Sequence, residues 1–221
     1  MIINPKGGSG KSTVSCNLAG YYSNAGKKVT LLDMDPQKSS LSWLRNRPAE
    51  STFIRGLSAI RESDFNETED GYLILDTPAA VAKNIIPEII AKADTLIIPV
   101  LPSPIDIQAA RIFIYQLLLK HRITSADLNI AVVANRVRSN TLAYKTLNDF
   151  INTLNIPFIT SLHENSVYLK TAEKGLSIFD FNNKLTRKLS DDWNPLISWL
   201  SETEARKKII SSSNKAQSQN N

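Results

Sequence analysis

The sequence predicts an α/β protein, a doubly wound and mostly parallel sheet with helices on both faces. Two observations predict it. Near-continuous apolar runs, such as Val29-Thr30-Leu31-Leu32-Asp33 and Thr95-Leu96-Ile97-Ile98-Pro99-Val100, have the character of strands covered on both sides. Segments of helical periodicity separate these runs along the chain, and that alternation gives parallel strands joined by right-handed crossovers. At 221 residues the chain supports a single domain, placed at 1–201, with a polar tail at 202–221 that reads as disordered.

Taken in order, Met1 to Asn4 form a short first strand, cut short or continued upstream of Met1. Ser12 to Asn24 form a helix carrying Val14, Leu18, Ala19 and Tyr22, with Gly26 placed to cap its end. The strand at Val29–Asp33 leads to a helix from Ser39 to Arg47 that Pro48 stops. The 50–70 region is poorly patterned; Phe53-Ile54 suits a short edge strand and Ile60 to Glu69 a polar helix or loop. Tyr72 to Asp76 and Thr95 to Val100 are strands on either side of a helix from Asn84 to Lys92. Two prolines, Pro102 and Pro104, stiffen the approach to a helix from Asp106 to His121. That helix is apolar on most sides, so it is expected to be packed on both sides or to lie at a subunit interface. Strands at Leu128–Ala134 and Ile156–Thr160 alternate with helices at Asn140–Leu154, Ser166–Lys174 and Asn183–Leu200.

Composition narrows the function. Apolar residues are 42% and charged residues 21%, as in a globular protein with a buried core. The one cysteine, Cys16, rules out an internal disulfide framework or a four-cysteine metal or iron–sulfur site within one chain, and its place in a helix pattern points to packing. The start lacks a basic leader, and no run of 18 apolar residues offers a membrane span, which reads as a cytoplasmic protein. A net charge of +5 is compatible with salt-sensitive binding to a polyanion.

Three blocks carry chemistry. Lys6-Gly7-Gly8-Ser9-Gly10-Lys11-Ser12-Thr13 follows the first strand and opens a helix, the arrangement that wraps backbone N–H groups around phosphates. Lys11 would reach the β/γ-phosphates and the Ser12 hydroxyl would sit on Mg²⁺. The loop departs from the ordinary G-x-x-x-x-G-K-[ST] pattern: Pro5 holds the first glycine's place, and a second lysine, Lys6, stands just inside. Asp33-Met34-Asp35-Pro36-Gln37 ends a strand where α/β sheets bind ligands. A cap or turn former is the plain reading of Asp33 and Asp35; a P-loop one strand away favours metal and water positioning. Ile74-Leu75-Asp76-Thr77-Pro78 reads as a Walker B strand whose Asp76 holds Mg²⁺ directly or through water.

These blocks together resemble the ParA/MinD family of deviant Walker A ATPases, most closely the short, ParF-like ParA proteins of plasmid partition and their cargo-positioning relatives. Further similarity lies in Ile97 to Asp106 and Ser166 to Phe179, so the resemblance spans roughly residues 2 to 180. It implies an ATP hydrolase, weak alone and stimulated by a ParB-like or other adaptor partner. It implies a homodimer that closes on ATP, binds DNA without sequence preference, associates with the nucleoid and positions or segregates a cargo. Lys6 would cross to the partner subunit's phosphates and act with Lys11 and Asp35, which would position the attacking water. Gly7, Gly8, Ser9, Gly10, Lys11, Ser12 and Thr13 would hold the nucleotide, with Thr13 on the α-phosphate and Asn135 and Arg136 beside the adenine. Ser12, Asp33 and Asp76 would support Mg²⁺. The family's D-T-P-P or D-x-x-G is Asp76-Thr77-Pro78-Ala79-Ala80 here, and the N-terminal helix-turn-helix of larger ParA proteins is absent, which argues against operator binding.

The expected DNA surface is the C-terminal third, with Lys170, Lys174, Arg187 and Lys188 as its candidates. Between Lys170 and Lys208 eight basic residues face six acidic ones, so clustering on one face has to carry the binding. The alternative is a MinD-like membrane-associated ATPase, for which Leu196 to Leu200 and Lys207-Lys208-Ile209-Ile210 would have to form an amphipathic surface helix. The polar tail that follows makes membrane binding the weaker reading. A metabolic P-loop ligase or kinase would need a substrate pocket that no segment suggests.

Overall fold

The computed structural model describes residues 1–58, 71–79, 90, 93–120, 128–139, 141–153 and 156–218. Six strands are present among them: β1 (Val29–Asp33), β2 (Arg55–Ser58), β3 (Tyr72–Asp76), β4 (Thr95–Val100), β5 (Asn129–Val137) and β6 (Phe158–His163). They form two parallel three-stranded ladders, β2-β1-β3 and β4-β5-β6. The N-terminal segment lies between the two. Ile2 bridges in parallel to Asp76 on one side and Ile97 on the other, through Ile2 N–H to the Leu75 carbonyl (2.9 Å) and Ile3 N–H to the Ile97 carbonyl (3.0 Å). The expected first strand is therefore the centre of the sheet, and the loop it feeds emerges at the switch point where strand order reverses.

Adjacent residues on each central strand point to opposite faces, and each face has its own core. Ile3, Leu32, Leu75, Ile98 and Val132 pack against α3 (Pro104–Tyr115), through Ile107, Ala110, Phe113 and Ile114, and against Leu147 of α4 (Leu142–Ile151). Ile2, Leu31, Ile74, Ile97 and Val133 pack the other way, against Val14 and Leu18 of α1 (Lys11–Asn24) and Leu189, Trp193 and Leu196 of α6 (Lys184–Ser218). Burial on both faces is why the strands lack polar alternation.

Several boundaries move. The edge strand is Arg55–Ser58, and Phe53 instead stands 83% exposed. α3 begins at Pro104, whose fixed φ suits a first helical position, and Ser103 caps it by accepting from the Asp106 N–H. Beyond Tyr115 it continues as one π-helical stretch, Gln116–Lys120. Of the two expectations for this helix, packing on both sides within the chain does not hold, since Ile105, Ile112 and Tyr115 lie on an exposed outer face, and the subunit-interface alternative stands. The helix expected at 84–92 falls outside the described residues except for Ile90, which is helical and buried, and the segment 60–69 lies wholly outside them.

The largest difference is at the C-terminus. Where a disordered tail was expected from residue 202, α6 runs on to Ser218. Thr203 is buried, and the Tyr72 hydroxyl donates to Glu204 (2.5 Å), so β3 holds the helix beyond Ser201. Pro195 sits inside α6 without breaking it; the Thr160 hydroxyl of β6 donates to the nearby Asp192 carbonyl (2.5 Å).

A buried ion pair ties the remaining pieces together. Arg47, just past α2 (Ser39–Arg45), makes a two-pronged contact with Asp180 at 2.8 and 3.1 Å, and the side chains are 5% and 7% exposed. Asp180 also accepts from the Ser177 N–H (2.7 Å) and hydroxyl (2.6 Å) and from Asn24 at the end of α1 (3.1 Å). Burial by itself would raise the Asp180 carboxyl, but Arg47 and Ser177 outweigh it and hold the group below its usual value.

Candidate functional site

The loop between Asn4 and Lys11 is built from its own backbone and two asparagines. Asn4 is buried; its amide donates to the Pro99 carbonyl of β4 (2.7 Å) and its carbonyl oxygen accepts from the Lys6 N–H (2.8 Å). The Lys6 carbonyl in turn accepts from the Ser9 hydroxyl (3.2 Å) and the Lys11 ammonium (3.1 Å). Gly8 (φ 77°) and Gly10 (φ 91°) take left-handed conformations that only glycine adopts cheaply. Gly10 is the N-cap of α1 and supplies no side chain, so the first N–H groups of the helix keep no side-chain partner. Such an uncapped N-terminus, with its positive dipole end, favours an anion.

Two aspartates stand in register across β1 and β3, Asp33 opposite Asp76. Their surroundings differ. Asp33 is 1% exposed and both its oxygens are taken by backbone donors: Asp35 N–H (2.9 Å) on one, Ser40 and Leu41 N–H (3.1 Å each) on the other. It thereby anchors the turn that carries Asp35 and starts α2. Asp35 is half-buried, and its carboxylate accepts from the Gln37 N–H (2.9 Å).

Asp76 is fully buried, and among the described residues neither of its oxygens completes a hydrogen bond. Burial pushes its carboxyl up to about 6, and the Asp33 charge adds to this; the nearby Ser12 and Ser40 hydroxyls and Lys11 oppose it. Lys11 is itself buried, which lowers its ammonium, while the charges of Asp76 and Asp35 pull it back up. An unpaired buried carboxylate beside a serine hydroxyl suits a divalent cation, because hard oxygen donors and uncompensated negative charge are what Mg²⁺ requires. Ser12 and Asp76 fit that role; the Asp33 oxygens are already occupied.

Near the end of β5, the two residues expected near the base separate. Arg136 has φ 52° at an irregularity in the β5–β6 register and is exposed. It lines a pocket of about 270 Å³ with Leu101, Pro102, Ser103, Arg138 and Glu164, the last two forming an ion pair. Asn135 points elsewhere. It is 5% exposed; its amide donates to the Ser9 carbonyl (2.8 Å) and its oxygen accepts from the Arg136 N–H (3.0 Å). One N–H and one lone pair of the amide stay available beyond these two bonds, so the expected place beside the adenine is compatible with this geometry.

Lys170 and Lys174, on and after α5 (Val167–Ala172), and Arg187 and Lys188, on α6, are all exposed. Sequence reasoning missed Asn4, Ser40 and the Arg47–Asp180 pair. Asn4 alone carried a local signal, an asparagine placed to accept from the backbone two residues on.

The fold and the loop define a P-loop nucleotide-binding protein. Residues 1–178 match the family described as the CobQ/CobB/MinD/ParA nucleotide binding domain, and the chain belongs to that family of P-loop ATPases. Among curated relatives, a protein named "Maintenance of carboxysome distribution protein A" from Halothiobacillus neapolitanus is 25% identical over 89% of this chain and 93% of its own. Among solved structures, a putative plasmid partition protein from Borrelia burgdorferi bound to AMPPNP superposes with a TM-score of 0.71 at 18% identity, covering 89% of this chain and 97% of that one. The MinD cell division protein of Aquifex aeolicus gives 0.67 at 21% identity, over 89% and 95%.

Proposed function

We propose that this protein is a Mg²⁺-dependent ATP hydrolase of the ParA type that works as an ATP-dependent homodimer on DNA. The observation that carries the reading is the meeting, at one end of the sheet, of Lys11, Ser12 and the unpaired Asp76 carboxylate with the backbone-pinned Lys6. The Lys6 N–H and carbonyl are both fixed, while its half-exposed side chain makes no hydrogen bond or ion pair among the described residues. A fixed root and a free ammonium suit a cation delivered across an interface to the phosphates of a second copy. There it would offset charge developing in the transition state.

In this mechanism the N–H groups of Gly7 to Thr13 and the Lys11 ammonium hold the phosphates. Mg²⁺ on Ser12 and Asp76 would neutralise the charge that builds between them. Asp35 orients the attacking water, and Asp33 holds the Asp35 turn in place. Arg136 lies beside the base. Lys170, Lys174, Arg187 and Lys188 contact DNA phosphates without reading bases. The resulting protein is nucleoid-associated and moves or segregates a cargo with an adaptor that stimulates hydrolysis. The names of the carboxysome-distribution and plasmid-partition relatives support this reading.

The test is DNA retardation at low salt with ATP, ADP or no nucleotide. Retardation of unrelated sequences with ATP alone is expected. Binding that is equal without nucleotide, or absent at low salt, refutes it. A second reading, association with a membrane surface, draws on the helical continuation of α6 to Ser218. No described helix is long and apolar enough to cross a membrane. Co-sedimentation with anionic liposomes in ATP, without DNA retardation, would favour this second reading.

A further inference from the structure

We infer that Ser139, His163 and Asp192 form a second reactive site, a serine nucleophile set up to take the acyl group of an activated carboxylic ester. The three residues come from separate elements: Ser139 lies just past β5, His163 ends β6 and Asp192 lies on α6. Val137 and His163 are register partners across the β5–β6 ladder, which brings the serine beside the imidazole. The Ser139 hydroxyl lies 2.9 Å from His163 Nε2. On the other side of the ring, His163 Nδ1 lies 3.1 and 3.0 Å from the two Asp192 carboxylate oxygens. None of the three takes part in the nucleotide site proposed above.

The proton inventory fixes the roles. An ionised carboxylate only accepts, so Nδ1 carries the hydrogen and donates it to Asp192. The neutral ring then has a bare lone pair on Nε2, and the Ser139 hydroxyl donates to it. Hydroxyl, base and orienting carboxylate thus stand in the order that activates a serine. The β6–α6 contact does not depend on that serine. The Asp192 carboxylate accepts from the His163 N–H (3.0 Å), and the Asp192 carbonyl accepts from the Thr160 hydroxyl (2.5 Å). Ser139 is exposed, and the His163 and Asp192 side chains are 44% and 17% exposed, so an ester can reach the hydroxyl.

Arg138 pairs with Glu164, and the charge of Arg136 acts on the same carboxylate, so two guanidinium groups surround the residue that follows His163. Their charge favours the oxyanion of a tetrahedral adduct, but water screens it at an exposed site. The base therefore supplies most of the gain, on the order of a hundredfold. In the first step Ser139 Oγ bonds to the ester carbonyl carbon and the bond to the leaving oxygen breaks. The hydroxyl proton passes to His163 Nε2 and on to that leaving oxygen. Water then attacks the acyl-serine, with His163 again taking and returning the proton, which releases the carboxylic acid and restores the hydroxyl.

The experiment treats the full chain with para-nitrophenyl acetate, follows nitrophenolate release and locates acetyl groups by peptide mass mapping. Ser139 is expected to be acetylated about a hundredfold faster than the other serines of the chain. Ser139→Ala should remove this fast phase with the melting temperature unchanged. His163→Ala should slow it about a hundredfold, and added imidazole should restore part of the rate, which a purely structural histidine would not allow. His163→Gln serves if that variant does not fold. For Asp192 as a positioning residue, nitrogen NMR of the His163 ring should show the proton on Nδ1 in the unaltered protein and on Nε2 in Asp192→Asn. Acetylation of Ser139 no faster than that of other serines overturns the inference. So does a fast phase that survives Ser139→Ala, or a neutral ring protonated on Nε2 in the unaltered protein.

Discussion

Arg47→Met offers the sharpest test of how the fold ties the ends of α1 and α2 to the 175–180 segment. The guanidinium spends all its nitrogens: Nε on the Thr52 carbonyl (3.0 Å), Nη1 on Gly175 (3.2 Å) and Asp180 (3.1 Å), Nη2 on the Thr52 hydroxyl (3.0 Å) and Asp180 (2.8 Å). Methionine keeps much of the packing over Trp43, whose ring lies 5.5 Å from the guanidinium carbon. It leaves the Asp180 carboxylate, 7% exposed, with only Ser177 and Asn24. Removing one partner of a buried pair costs about 3–5 kcal/mol. At roughly 2–4 °C per kcal/mol for a chain of this size, Tm should fall by about 6–20 °C. Urea unfolding followed by tryptophan fluorescence measures the destabilisation, and adding Asp180→Asn in a double-mutant cycle isolates the pair. A change under about 1 kcal/mol would class the pair with surface salt bridges and refute the reasoning. The acid side gives a second check. Because the Asp180 carboxyl is held low, its contribution is complete above the unfolded carboxylate value of about 3.9 and disappears as pH falls through the folded one. The gap between wild type and Arg47→Met should therefore narrow below about pH 4.

Other outcomes follow from the site. Asp76→Asn should raise the Mg²⁺ concentration needed for tight ATP binding at least tenfold, whereas Asp33→Asn should lower kcat with the Mg²⁺ requirement unchanged; identical Mg²⁺ titrations for the two variants would contradict the division of labour. Lys6→Ala should bind nucleotide as a monomer yet fail to dimerise with ATP in analytical ultracentrifugation, and an intact dimer with stimulated hydrolysis would end the cross-subunit role. Replacing Lys170, Lys174, Arg187 and Lys188 with alanine should weaken DNA binding alike for all sequences and flatten its salt dependence by about 0.9 for each phosphate no longer neutralised; an unchanged slope places the DNA elsewhere.

What could be read from the chain was whatever is local. The strands betrayed themselves because burial on both faces leaves no polar alternation, and the P-loop, Asp33–Gln37 and Ile74–Pro78 blocks are fixed by spacing within a few residues. What escaped depends on residues far apart. Asn135 was visible as a polar residue ending a strand, but its partner Ser9 is 126 positions away, and only the folded sheet brings them together. The continuation of α6 past Ser201 escaped for the same reason: polar composition predicts disorder, and the Tyr72–Glu204 contact at its start is 132 positions long in sequence. The outer face of α3 was only half legible. Its mean apolar character suggested packing on both sides or a subunit interface, and Ile105, Ile112 and Tyr115 share one exposed stripe, which leaves the interface as the alternative.

The central position of Met1–Ile3 has a mechanical consequence. Each three-stranded ladder is continuous within itself, and among the described residues the backbone bonding between the two passes through this short segment, by the Ile2, Ile3 and Ile97 amide bonds and the Thr77 hydroxyl on the Ile2 carbonyl (2.9 Å). The sheet thus has a seam, and the seam runs straight into the P-loop. The loop is pinned on one side of it by Asn4 to β4 and by Asn135 to β5, while Asp76 and the Asp33 turn belong to the other side. Anything that bridges Lys11 and Ser12 to Asp76 works as a rivet across the seam.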